Sequence, residues 1–332
     1  MNKLPLFFVV SVLGAGALSS ACSSKSTASP ATTGDAGKDA TVLDGSGGDG
    51  AGGGDVQAEA APPAPSFNLR FAQWSPDGAQ VDFCIAAHGS GSFSGPVLSA
   101  AGGVVPDAGA DGGPAELTFP SVTNYVSLSD TNGNPLPPAQ YDVRVVAAGG
   151  DCSKGLASDA TTIPAFANGG YYTVATIGDT TPAASDPSLT LVSFVDDASP
   201  PAAGIGIRFI NATPSIPSLS FGTGKFGSGF QPYFKGVAFG KAGSTLATDA
   251  GTLDTADYLG LASVTVPLSM ETATGATGDT AVVHTLAAQS NAVLTFVAVG
   301  AKTGSTAAQI LLCVDNTAGP NGLLGSCSIV SK

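Results

Sequence analysis

Five cysteines, two histidines and one tryptophan are the side chains of this 332-residue chain with the widest chemical reach. An odd cysteine count matters first, because a free thiol in an oxidising compartment is reactive and needs an explanation. The histidines do not gather into a metal site: His88 opens a Gly/Ser loop and His284 lies near a strand end, neither with a second ligand at metal spacing. Both read as exposed loop histidines. No G-x-S-x-G elbow and no S-x-x-K pair supplies a serine nucleophile. Gly222–Gly227 (GTGKFG) has dinucleotide spacing, but Gly229, Pro232 and aromatics follow it where a helix should begin. Asp130–Asn134 (DTNGN) resembles half of a calcium loop, yet Pro135 stands where the turn glycine belongs, which leaves an Asn-Gly turn. These absences point away from an enzyme and imply neither metal nor cofactor. Among the aromatics able to stack on a sugar face, Trp74 beside Ser75-Pro76 is the candidate ligand contact.

The odd cysteine is Cys22. Residues 1–21 begin with Lys3, run apolar from Leu4 to Leu18 and end in small residues. That apolar run is too short to span a bilayer as a helix and has the form of an export signal. With Cys22 directly after Ser19–Ser20–Ala21, the segment resembles the lipobox of bacterial lipoproteins. The resemblance implies cleavage before Cys22, acylation of its thiol, and a protein lipid-anchored to the bacterial outer membrane or cell surface. Ordinary secretory cleavage after Ala21 is the alternative. Removing Cys22 from the count leaves four cysteines, an even set for disulfides.

The elements that hold these residues are unevenly built. Charged residues make up 11% of the chain against about 25% in an ordinary domain, and hydrophobic residues 43%. That balance excludes a salt-bridged helical protein and wholesale disorder. The net charge of −13 repels nucleic acid. Residues 22–66 are Gly, Ala, Asp, Ser and Pro around Val42, Leu43 and Val56, a disordered tether whose ends average about 35 Å apart. A second such stretch, 99–115, reads as a mobile insertion.

Beyond the tether the chain repeats. Arg70–Cys84 (RFAQWSPDGAQVDFC) aligns with Arg208–Gly222 (RFINATPSIPSLSFG), sharing Arg70/Arg208, Phe71/Phe209, Pro76/Pro214 and Phe83/Phe221. Tyr172–Gly178 matches Leu294–Gly300, and Val192–Asp197 (VSFVDD) matches Leu311–Asn316 (LLCVDN). Three blocks in one order define two modules, 67–203 and 204–332. Val81, Phe83 and Ile85 alternate with Gln80, Asp82 and Cys84, as in a half-buried strand, and Tyr141, Val143 and Val145 repeat the pattern. Further β-rich runs lie at 67–73, 115–119, 122–128, 171–177 and 189–195. The predicted fold is all-β, two tandem β-sandwich modules of immunoglobulin or transthyretin type.

The opening "RFxxxSPDxxxVDF", the "YDVRV" and "YTVATIG" strands and the closing "VDD"/"VDN" resemble domain-of-unknown-function family 4397. The resemblance implies tandem β-sandwich modules in an exported bacterial protein and brings no catalytic residues. Cys84 and Cys152 fall in the first module, Cys313 and Cys327 in the second. Four cysteines allow three connectivities, and pairing within modules avoids a reach across domains. Cys84 is expected on a surface staple, since it alternates with Phe83. The sequence therefore predicts a non-enzymatic envelope lipoprotein that binds an extracellular polysaccharide or protein. An enzyme of unrecognised type and a purely structural envelope component are the other readings.

Overall fold

The computed structural model describes residues 66–99, 104–106, 116–130, 132–161, 163–199, 201, 203–224, 229–247, 251–272, 281–283, 285–286, 290–300, 307–318 and 324–331. The expected export signal, Cys22 and the tether up to residue 65 lie outside the described residues, as do His284 and most of 99–115. Everything described belongs to one compact unit, Ala61–Lys332.

The structure is all-β, as the alternating patterns predict. The first repeat contributes a five-stranded sheet ordered β3 (Val104–Pro106), β4 (Val126–Asp130), β1 (Asn68–Gln73), β6 (Tyr171–Ile177) and β7 (Thr190–Asp196). A two-stranded antiparallel sheet of β2 (Val81–Ala87) and β5 (Tyr141–Ala147) covers one face of it. In the second repeat β11 (Lys241–Ala242), β8 (Ile205–Asn211), β15 (Val293–Val299), β16 (Gln309–Ala318) and β17 (Leu324–Ile329) form one sheet, with β12 (Leu259–Leu261) also on β8. Its cover is a sheet of β10 (Gln231–Ala238), β9 (Ser218–Thr223), β13 (Leu268–Thr272) and β14 (Ala281–Val283). The repeated blocks occupy matching places: β1 pairs parallel with β6, and β8 parallel with β15. The expected runs at 115–119 and 122–128 yield only bridges at Leu117 and Val122 before β4 begins.

Strand alternation sorts each sheet into two faces. Leu69, Phe71 and Val174 turn toward the β2–β5 pair and meet Phe83, Val143 and Val145. Ile207, Phe209, Leu294 and Phe296 turn toward the second cover sheet. The repeated phenylalanines stack identically, Phe71 on Phe83 at 4.6 Å and Phe209 on Phe221 at 4.7 Å between ring centroids. The remaining faces meet each other: Ala72, Trp74, Ala175, Ile177 and Phe194 pack on Ile210, Ala212, Val297, Val299 and Leu311. The result is four layers, with the two repeat sheets back to back in the middle.

Local packing corrects two expectations. Asp82 and Cys84, placed by alternation on a solvent face, are both fully buried. Asp82 is sealed because its carboxylate accepts the N–H groups of Phe83, Leu98 and Ser99. Cys84 does face away from Phe83, and it bonds Cys152 as predicted. The staple is nevertheless covered. Arg144, opposite Cys84 in the ladder, donates to Cys152 O and to both oxygens of Asp159, and its guanidinium lies 3.9 Å from the Phe93 ring. The second staple, Cys313–Cys327, joins directly opposed residues of β16 and β17.

Candidate functional site

Polar side chains converge where the two central sheets meet. In β1 and β8 the same period that buries Leu69/Phe71 and Ile207/Phe209 turns Arg70 and Arg208 into the seam between repeats. The parallel ladders set Arg70 beside Thr173 and Arg208 beside Thr295 in equivalent registers. Asp196 ends β7 and Asp315 occupies the matching place in β16. Tyr125 and Tyr258 complete the set, one from each repeat.

The ion pairs cross. Arg70 Nη1 donates to Asp315 Oδ1 at 2.6 Å, and Arg208 Nη2 donates to Asp196 Oδ1. The other oxygen of each carboxylate stays within its own repeat. Asp196 Oδ2 accepts Tyr125 at 2.8 Å and Thr173 at 2.5 Å, while Asp315 Oδ2 accepts Tyr258 at 2.6 Å and Thr295 at 2.5 Å. Each guanidinium also lies over a tyrosine ring, Arg70 4.6 Å from Tyr125 and Arg208 4.5 Å from Tyr258. All eight groups are buried, and two cations face two carboxylates.

Burial decides the titration here. Desolvation works against both guanidinium ions, but Asp315 beside Arg70 and Tyr258 and Asp196 beside Arg208 hold both pKa values above the ordinary one. Desolvation would raise Asp196, yet Arg208 and Arg70, aided by hydrogen bonds from Thr173 and Arg208, hold it below the usual carboxylate value. Both tyrosines are pushed well above theirs, chiefly by burial. With both guanidinium ions and both carboxylates buried and paired across the seam, this chemistry fastens the repeats together.

The sequence-derived candidates fall elsewhere. Trp74 is fully buried in the seam, its ring 6.3 Å from Phe194, so it offers no face to a sugar. The reason is the second sheet, which covers the face that a lone sandwich would leave wet. Among the described residues its Nε1 meets no hydrogen-bond partner. His88 is 45% exposed, on a loop as expected, but Nδ1 lies 2.7 Å from Asp142 Oδ1. The second oxygen of Asp142 accepts Gly89 N–H. Asp130 caps its own Asn-Gly turn, accepting Asn132 and Asn134 N–H. Among the described residues no group of three or more His, Cys, Asp and Glu side chains is placed to hold a metal ion.

Two features escaped sequence reading. Asp77 receives Thr180 and Thr181 N–H across the loops, and nearby Asp179 is pushed up to about 6 by burial and by Asp77 and Asp186. The crossed ion pairs left a trace, since Arg70/Arg208, Thr173/Thr295 and Asp196/Asp315 are identical between repeats. Only their pairing across the seam was hidden. No protein-family model matches the chain, and no curated protein does either.

Proposed function

We propose that this protein is a non-enzymatic, lipid-anchored envelope protein that displays a rigid β body to an extracellular polysaccharide or protein. On this reading Cys22 carries the lipid, residues 23–65 form the stalk, and the two repeats are sandwich modules of the kind that family 4397 resembles. One observation carries it: the polar residues shared by both repeats are consumed in fastening the repeats to one another. Duplication here has built a stiff object instead of a reactive cleft. The two disulfides add rigidity of the kind an oxidising compartment allows.

Mass spectrometry of the native N-terminus tests the anchor. The expected outcome is a chain beginning at Cys22 with acyl mass on it, and a Cys22→Ser variant released from the membrane fraction. An unmodified Cys22 removes the anchor. The catalytic alternative rests on His88, whose half-exposed imidazole is held at Nδ1 by Asp142. Turnover of any ester, amide or glycoside substrate that His88→Ala abolishes would establish it.

A further inference from the structure

The two repeats differ at one sheet edge. In the second repeat β16 carries β17 along its outer side, from Leu311↔Ile329 to Val314↔Ser326, and Val330 N–H donates to Ile310 O at 3.0 Å. In the first repeat the equivalent strand, β7, pairs with β6 and ends its sheet. Beside it lies a cleft of about 630 Å³. Four consecutive β7 residues, 191–194, form one wall, Ile163 comes from the β5–β6 connection, and Lys241, Ser244 and Asp257 come from the second repeat.

Backbone direction makes this an open ladder. Thr176 O accepts Trp74 N–H, so Thr176 turns its backbone toward β1 and away from β7. Its partner across the β6–β7 ladder, Leu191, therefore turns its own N–H and C=O outward, and Ser193 follows by the two-residue period. Among the described residues neither backbone outward pair meets a hydrogen-bond partner. Val195 also faces out, and Arg208 Nη1 takes its carbonyl at 2.8 Å, which closes the edge at that end. The matching groups of β16 are satisfied by the chain's own C-terminal strand.

We propose that the β7 edge accepts an extended segment of a partner polypeptide as a sixth strand, antiparallel to β7. β17 shows what such a strand is made of: Leu324–Ile329 is LGSCSI, uncharged and small. Smallness has a steric cause. A Cβ on Gly325, at φ +87°, would fall 2.6 Å from Tyr125 Cδ2, and Asp257, next to the equivalent Tyr258, lines the cleft beside β7. Main-chain bonds supply the affinity, and the crowding favours small side chains. β17 of a second copy is not the donor, because Cys327 is bonded to Cys313. The inference deepens the display reading by naming what the body holds. Its test uses no membrane, so it stands or falls apart from the anchor.

The probe is a synthetic peptide reproducing residues 324–331 with Cys327→Ala, added to the full mature chain and followed by amide hydrogen exchange. In the free protein the Leu191 and Ser193 amides exchange fast. Saturating peptide slows them at least tenfold, while a copy N-methylated on the residues facing β7 leaves them unchanged. Ser193→Pro removes an outward N–H without touching the β6 ladder and weakens binding at least tenfold; Ser244→Trp fills the cleft and does the same if the proline disturbs the fold. Protection of both amides before peptide is added would mean that the chain covers its own edge, and the proposal fails. It fails equally if the N-methylated copy binds as well, or if millimolar peptide protects nothing in β7.

Discussion

The two repeats agree in the charged groups they exchange and differ in what covers their outer faces. Each presents an Arg, a Thr, an Asp and a Tyr to the seam in matching positions, and each stacks the same phenylalanine pair in its own core. Away from the seam the first repeat is covered by the β2–β5 pair and the second by a four-stranded sheet. Within the seam, Phe194 fills the place that Cys313 holds in the second repeat, and Ala212 the place that Trp74 holds in the first. The disulfides follow these differences: one pins a loop to the β2–β5 pair, the other pins β17 to β16. The charged residues kept twice are those that each repeat needs from the other. A buried arginine without its partner carboxylate is far costlier than a changed surface, so the crossed pairs could not drift independently.

Breaking one crossed pair is expected to have the largest effect. Arg70→Met leaves the Asp315 carboxylate buried without its cation and should cost about 3–5 kcal/mol in denaturant unfolding. Arg208→Met should cost a similar amount through Asp196. Arg70→Met with Asp315→Leu should recover much of the loss, and equal single losses with no recovery would refute the pairing across the seam.

The staples come next and should be unequal. Closing 68 residues, Cys84–Cys152 should contribute about 4 kcal/mol on the loop-entropy model, and Cys313–Cys327, closing 14, about 3. Paired Cys→Ala variants unfolded in urea would measure the difference. Trp74→Phe should cost only roughly 1–2 kcal/mol, because buried area is lost but no hydrogen bond to Nε1 is. The same variant should leave any polysaccharide binding unchanged, since the ring is sealed in the seam.

The pH dependence sharpens the comparison without altering stability at neutrality. The folded-state pKa of Asp196 is lowered, so its contribution is present above the unfolded value and is lost as pH falls through the folded one. Tyr125 and Tyr258 are raised, so theirs is present below the usual value of about 10 and is lost as pH climbs beyond it. Phenolate absorbance should therefore show Tyr125 and Tyr258 ionising only as the fold opens. Full titration of all six tyrosines in intact protein would place Tyr125 and Tyr258 outside the seam.

Much of the architecture was legible in the chain because local rules decide it. Alternation set which residues of β1, β2, β5 and β6 form each core, and the repeated blocks marked equivalent strands. The pairing of cysteines within repeats followed from their positions. Asp82, Cys84 and Trp74 were misjudged because alternation says that two faces exist, but only packing says what covers the second: a loop over Asp82, Arg144 over the Cys84 staple, and the other repeat's sheet over Trp74.

The sequence by itself determined an all-β chain and a duplicated set of strands. These depend on residue type and near-neighbour spacing. Tertiary structure alone decided that the two polar faces close on each other, that Arg70 answers to Asp315 and Arg208 to Asp196, and that β7 is left without the neighbour that β16 has. Each of those joins residues far apart along the chain, where a contact is set by the free energy of burying whole faces and by nothing written locally.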